Sequence, residues 1–496
     1  MRRWAAPAIC GALAVEVGVI AWYAATRSPL DLRVYVGGGH AVPRDTRLYL
    51  VQVTGHWFTY PPFAAVLFAP LTAIPVAIAR VTWELASVAA FAWACMITLK
   101  LAGYRASRTA VAAVVALGLA LEPVYHTLYL GQINLFLLAL VLTDVWRVSR
   151  GRPAGIGVGI AAAVKLTPAI FVVLFLLTRR TRAALTAAGT FVLCGLVGYL
   201  VAPGASRLYW RHLFYDTERV GAPYISNQSP LGAAARISGG IAHVGAWYPL
   251  LPLTIGVLGL VVATVLARHA DWLGAAVVTG TTGLLVSPIS WTHHWVWIMP
   301  ALVLLVRDGT GSRIAAAGGY LLFVLAPLWW TPHGGGPREY GFHGLLTFVA
   351  NCYLITGLAF LAYTTRRAYL ASRETADSPV PAGPTRSGET AAADPPEAEP
   401  GQGDGEGDED RRLGPLEGPV AAGGLVGDGD PDAVAGQALR PGGTAGKCQR
   451  PAGSRVGADW LPGGVDGSGR EDPGAGLAGE KLGAKREGAV GPYLSL

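Results

Sequence analysis

Apolar runs of about 16–22 residues recur through residues 1–377, close to the ~20 needed for a helix to cross a bilayer core. Between them lie short stretches that hold most of the charge. Over the same residues there are 28 basic and 13 acidic side chains, a net of +15. Residues 378–496 carry 11 basic and 19 acidic side chains, a net of −8. Thirteen acids cannot solvate a globular surface of that size. The 14% charged content of the whole chain is well under the roughly one quarter of ordinary soluble domains. The pattern implies an all-α polytopic membrane protein and excludes a soluble one.

The excess of positive charge does not indicate nucleic acid, because Arg and Lys sit in clusters between apolar runs, as cytoplasmic anchors do. Cys10, Cys95, Cys194 and Cys352 lie in or beside apolar runs and read as thiols rather than a disulfide framework. No CxxC or HExxH pattern suggests a metal, and no glycine loop of the Walker or Rossmann kind is present. Arg2 and Arg3 before an apolar stretch resemble a signal peptide, but the many later runs favour an uncleaved first helix.

Charge asymmetry orients the chain. Arg2 and Arg3 put the N-terminus inside, and residues 5–23 cross outward. Residues 29–60 then form an extracytoplasmic loop. Residues 61–78, broken by prolines, read as an interfacial or re-entrant segment. Crossings follow at 81–101, 110–121 and 130–145. Two short helices at 154–164 and 169–177 carry Lys165 at their tip, each too short to cross alone. Further crossings fall at 183–201, 250–267, 272–286, 295–306, 314–328 and 345–363. This gives 10–12 spans, both termini cytoplasmic, in a multi-pass plasma-membrane protein with a domain over 1–373. The Gly-, Pro- and acid-rich residues 374–496 lack the apolar content to fold and read as a disordered cytoplasmic tail.

In this topology the polar residues that are unusual for a membrane helix fall on the outer side: Asp31, Arg33 and His56; Tyr60; Glu122, His126, Gln132 and Asn134; Lys165; Asn227 and Gln228; His293 and His294. Intramembrane ionisable groups are costly and mark sites. Asp31 can take a proton from a hydroxyl nucleophile, or pair with Arg33 or cap a helix. His293 and His294, framed by tryptophans, can donate to phosphate oxygens or lie hydrated in an interfacial belt. Lys165 either snorkels or pairs with an anion. Gln132 and Asn134 can bond sugar hydroxyls, or cap and lock a helix. Transfer from a lipid-linked phosphate donor to a hydroxyl acceptor satisfies the whole set, with no nucleic acid involved.

Asp31-Leu-Arg-Val-Tyr35, Tyr60-Pro-Pro-Phe63, Gly131-Gln-Ile-Asn134 followed by Asp144, Lys165-Leu-Thr-Pro168, Asn227-Gln-Ser229 and Ser287-Pro-Ile-Ser-Trp-Thr-His-His294 occur in that order. The ordered set resembles the polyprenol-phosphate-mannose-dependent α-(1→2)-mannosyltransferases, glycosyltransferase family 87 with the GT-C fold, over residues 11–363. The resemblance implies a GT-C-like bundle and a metal-independent, inverting transfer outside the membrane. No cofactor is implied. The donor is a polyprenyl phosphosugar and the acceptor a glycolipid or lipoglycan. Asp31 is the implied general base. His293 and His294 hold the donor phosphate and its developing charge, with His294 also catalytic, and Lys165 assists. Arg33, Tyr35, His56, Tyr60, His126, Gln132, Asn134, Asn227 and Gln228 line the sugar or lipid pocket. The alternatives are a polyprenyl-phosphoarabinose-dependent arabinofuranosyltransferase and a glycolipid flippase without chemistry.

Overall fold

The computed structural model describes residues 2–377, apart from Thr46 and Gly335. The expectation for the tail lies outside the described residues, and the last helix, Cys352–Asp377, runs on past residue 373. Helices dominate, with one two-stranded hairpin pairing Gln52–Val53 with His56–Trp57.

Among the described residues four helices are long and apolar enough to cross a membrane: Ala6–Thr26, Val76–Leu101, Thr181–Val201 and Leu250–Arg268. Arg108–Leu119 and Glu122–Leu130 meet at a 77° bend and pass the same test together. Of the other expected crossings, Trp272–Val286 and Thr310–Leu325 are shorter apolar helices, and the one at 345–363 falls on Leu345–Ala350 and the 26-residue helix Cys352–Asp377. Fewer elements thus meet the length criterion alone than the 10–12 expected. The interruptions coincide with proline: Pro61 and Pro62 open the short Pro62–Phe68 helix, and Pro123 opens the Glu122–Leu130 helix. Proline has no N–H to continue a helical ladder. Irregular backbone is tolerated at membrane depth where protein covers it.

The segment read as a loop at 29–60 contains a helix, Leu30–Ala41. Asp31, Arg33 and three consecutive glycines hide the element from a hydropathy reading, yet Leu32, Val34 and Tyr35 are buried. The hairpin of half-helices is as expected: Ile156–Val164 and Ile170–Leu177 flank Lys165.

One end of the bundle is tied by charge. Asp271 and Asp308, in the connections on either side of Trp272–Val286 and Ile298–Arg307, both bond Arg307 and Arg367. Tyr363 donates to Asp308 at 3.0 Å. Asp144 is a second fastener. Its carboxylate accepts the Val158 N–H at 2.7 Å, filling an orphan donor in the first turn of Ile156–Val164.

Candidate active site

Asp31 sits in the first turn of Leu30–Ala41 with Tyr35 one turn on, so both side chains share a face. Arg33, two residues from Asp31, is exposed on another side of the helix and forms no ion pair with it. The partner of Asp31 is Gln132, whose Nε2 donates to Oδ2 at 2.7 Å. Tyr35 donates to Gln132 Oε1 at 2.7 Å, and the Tyr60 hydroxyl lies 3.1 Å from that oxygen and 2.9 Å from the Tyr35 hydroxyl. With its carbonyl oxygen held by phenols, the amide presents its N–H to Asp31 and so favours a carboxylate there.

Gly131 makes this approach feasible. It ends Glu122–Leu130 at φ +70°, a left-handed cap, and a Cβ there would lie 2.8 Å from Leu32 Cβ and 2.9 Å from Pro29 Cβ. Trp83 fixes the Gly131 carbonyl at 2.9 Å.

Lys165 is held from two sides. It donates to Asn134 Oδ1 at 3.1 Å and lies 2.8 Å from His294 Nε2. The His294 ring also bonds the Ile289 carbonyl. A ring that donates at one nitrogen and accepts from an ammonium at the other is neutral. Burial, then the neighbouring Lys165, pushes the His294 pKa well below the ordinary value. In this geometry His294 Nε2 is engaged with Lys165. The ammonium also stands 5.7 Å over the Tyr60 ring. Lys165 and Asp31 are close enough that each shifts the other's ionisation.

Burial raises the Asp31 pKa although part of its surface stays open to the site; the Gln132 hydrogen bond and the Lys165 charge pull it down. Burial lowers Lys165 to about 7. His56, in the hairpin, also biases Asp31 toward the charged form.

His293 is buried, and neither ring nitrogen has a hydrogen-bond partner. It packs edge-on against His126 at 5.4 Å and His294 at 4.7 Å. Its carbonyl accepts from Asn134 at 2.8 Å and Thr127 at 3.0 Å. His126 donates from Nδ1 to Glu122 Oε1 at 2.9 Å, and Glu122 also accepts from Trp329 and Tyr353, each at 3.0 Å. Glu122 was grouped with the outer polar residues from sequence but given no role. Its spacing of four from His126 on a helix was the available signal. Glu84 was overlooked as well: fully buried, with neither oxygen hydrogen-bonded, it lies behind Gly131. A lone acid in an apolar helix of 26 residues was its signal.

Asn227 and Gln228 are brought elsewhere. The Asn227 amide bonds the Ala222 and Pro288 carbonyls and accepts from the Ser229 and Ser290 N–H groups. Gln228 joins the Ile225 and Ala350 carbonyls to the Tyr353 N–H. Both are fully buried and their polar atoms are committed to backbone: Asn227 fastens its segment to Pro288 and Ser290, and Gln228 fastens it to Ala350 and Tyr353. Gln132 and Asn134 are also buried, and they orient Asp31 and Lys165.

Lys165, His294 and Asn134 line a pocket of about 50 Å³ together with apolar side chains that include Leu137, Phe171 and Trp297. Among the described residues no group of three or more His, Cys, Asp or Glu is arranged to hold a metal ion. The site thus sets one carboxylate against one ammonium across a buried amide and two phenols. That pairing can remove a proton and receive negative charge in a single displacement.

Residues 58–288 match the sequence profile described as glycosyltransferase family 87, a segment that excludes Asp31 and His293–His294. The chain is 34% identical over 352 residues, covering 67% of it and 85% of the relative, to the polyprenol-phosphate-mannose-dependent alpha-(1-2)-phosphatidylinositol pentamannoside mannosyltransferase of Mycolicibacterium smegmatis. It is 33% identical, over 64% of its length and 80% of the relative, to the phosphatidylinositol mannoside mannosyltransferase of the same donor class from Mycobacterium tuberculosis. A weaker likeness, 28% over 44% of the chain and 48% of the relative, links it to an alpha-(1->3)-arabinofuranosyltransferase of M. smegmatis. No solved structure matches.

Proposed function

The chain belongs to glycosyltransferase family 87, and from that premise we propose that it moves mannose from polyprenyl phosphomannose to a hydroxyl of a phosphatidylinositol mannoside or related envelope glycolipid. The observation that carries the reading is the Asp31–Gln132–Tyr60–Lys165 arrangement, a base and a cation drawn from segments far apart in sequence. Asp31 accepts the proton of the acceptor hydroxyl as its oxygen attacks the anomeric carbon. The bond to phosphate breaks on the opposite face, with inversion. Lys165 turns from His294 to the leaving phosphate and neutralises the charge that develops there.

Gln132, Tyr35 and Asn134 position these two groups, and His294 stores Lys165 between turnovers. His293 gains its missing hydrogen-bond partner from the donor phosphate or sugar. Tyr60, His56 and His126 border the space left for the sugar, while Arg33 faces away from it. Leu137, Phe171 and Trp297, which share a small pocket with Lys165, offer an apolar surface to the start of the isoprenoid chain. With the arginine clusters at the other end of the helices, the site faces the extracytoplasmic side and both termini are cytoplasmic. Residues 1–373 form the catalytic domain in this reading.

The test uses membranes supplied with labelled polyprenyl phosphomannose and phosphatidylinositol mannoside acceptors. Wild-type protein yields an elongated glycolipid and Asp31→Asn yields about 10²–10⁴-fold less, the range of general-base catalysis. Near-normal transfer by a folded Asp31→Asn removes Asp31 as the base. Transfer from polyprenyl phosphoarabinose instead, or translocation without transfer, supports one of the rival readings. Lipid profiling of a deletion strain names the acceptor through the precursor that accumulates.

A further inference from the structure

A second cavity, of about 1240 Å³, opens between the helices Val76–Leu101, Asn134–Ser149 and Thr181–Val201. Arg147, Arg152, Arg179, Arg180 and Arg182 line one part of it. Arg147 is thirteen residues along its helix from Asn134, about 20 Å at the α-helical rise. The arginine end of the cavity therefore lies away from Asp31 and Lys165, while Phe136 at its other end stands two residues from Asn134.

Its charge is unbalanced. Among the described residues none of the five arginines forms an ion pair with a carboxylate. The lining's single acid, Asp144, is buried and accepts the Val158 N–H. Arg307 and Arg367 behave differently, since Asp271 and Asp308 neutralise them both. Arg179 even adopts φ +59°, an uncommon conformation for a non-glycine residue, in the turn that delivers three of the guanidinium groups. Anchors that merely met water would not need to converge on a cavity.

The remaining walls are apolar: Ala90, Trp93, Phe136 and Leu140 continue the cavity along the bundle. Trp93 is about half exposed there and donates to Thr143 at 2.8 Å. A cationic head and an apolar flank call for an amphiphile with an anionic head. Guanidinium forks match phosphate oxygens in pairs, and basic pockets between membrane helices on the cytoplasmic side bind anionic lipid headgroups.

We propose that this cavity binds an anionic glycerophospholipid, with its phosphodiester among Arg147, Arg152 and Arg182 and an acyl chain against Trp93 and Phe136. In the orientation proposed above, the lipid comes from the cytoplasmic leaflet. The site is separate from the transfer chemistry, so it stands or falls independently of Asp31.

The test is retention of added lipid by delipidated full-length protein, read by native mass spectrometry. The probes are dioleoyl phosphatidylglycerol and dioleoyl phosphatidylcholine, with inorganic phosphate as a third arm. Phosphatidylglycerol is retained and phosphatidylcholine is not. The Arg152→Gln/Arg182→Gln variant, which alters only exposed side chains, weakens retention by about tenfold or more. Arg366→Gln, an exposed charge outside the cavity, leaves it unchanged. Equal retention of the two lipids, wild-type retention by the double variant, or an equal loss in Arg366→Gln overturns the proposal. So does inorganic phosphate competing away the lipid at equimolar concentration, which makes free phosphate the ligand.

Discussion

Gln132 and Asp31 lie 101 residues apart in sequence, yet the Gln132 amide reaches the Asp31 carboxylate at 2.7 Å with its own carbonyl held by Tyr35. This bond favours the ionised carboxylate that burial opposes. Replacing Gln132 with Leu therefore raises the Asp31 pKa further. The acid limb of kcat/KM for sugar transfer moves to higher pH, and the loss is greatest in acid and smaller near neutrality. A uniform loss at every pH makes Gln132 a packing residue only.

The wild-type pH profile follows from two opposed groups. In the proposed reaction Asp31 works deprotonated, and its pKa is raised, so activity is expected to fall with decreasing pH earlier than for an ordinary aspartate. Lys165 works protonated in the same proposal, and burial brings it to about 7, so donor capture is expected to fall as pH rises through that value. The profile of kcat/KM is a narrow bell. Bound donor phosphate stabilises the ammonium, so the basic limb of kcat lies higher than that of kcat/KM. Coincident basic limbs count against Lys165 as the phosphate partner.

Lys165→Ala is expected to reduce kcat by about 10²–10³-fold, the cost of removing one donor to a developing oxyanion. Lys165→Arg keeps charge but cannot match the single point contact between Asn134 and His294, and recovers part of the activity. His294→Gln lowers activity less than Lys165→Ala does. A larger effect for His294→Gln, measured on protein of equal expression, makes the histidine the direct phosphate donor.

Gly131→Ala places a methyl group against Leu32 and Pro29 and adds the left-handed penalty of roughly 1–2 kcal/mol. The expected result is a lower melting temperature together with lost transfer, because the contact that displaces Gly131 also moves Gln132 from Asp31. Unchanged melting and activity means the two helices separate without consequence.

Asn227→Ala breaks four backbone partnerships inside the fold. Thermal stability and expression fall, while KM for donor and acceptor in the surviving folded fraction stays near wild type. A raised KM with full stability returns Asn227 to the substrate pocket.

Much of the helical framework was legible because hydropathy is a local property. Val76–Leu101, Leu250–Arg268 and Trp272–Val286 lie close to where apolar runs put them. Lys165 at the break between half-helices was legible for the same reason. The helix carrying Asp31 was not, because a short segment with Asp31, Arg33 and three glycines gives no hydropathy signal, and Phe58 and Phe68 cover it only in the fold.

The sequence by itself determined that residues 1–377 form a helical membrane protein, and its ordered polar segments pointed to one family. Residue type and spacing suffice for that, because a bilayer sorts side chains by polarity alone. Which partners each polar residue meets was decided by the tertiary structure. Gln132 and Asn227 are both amides in family-like segments, yet one faces a carboxylate and the other is spent on backbone. A side-chain amide has the same chemistry in either place. Only the partners that folding brings within about 3 Å separate a positioning group from a clamp.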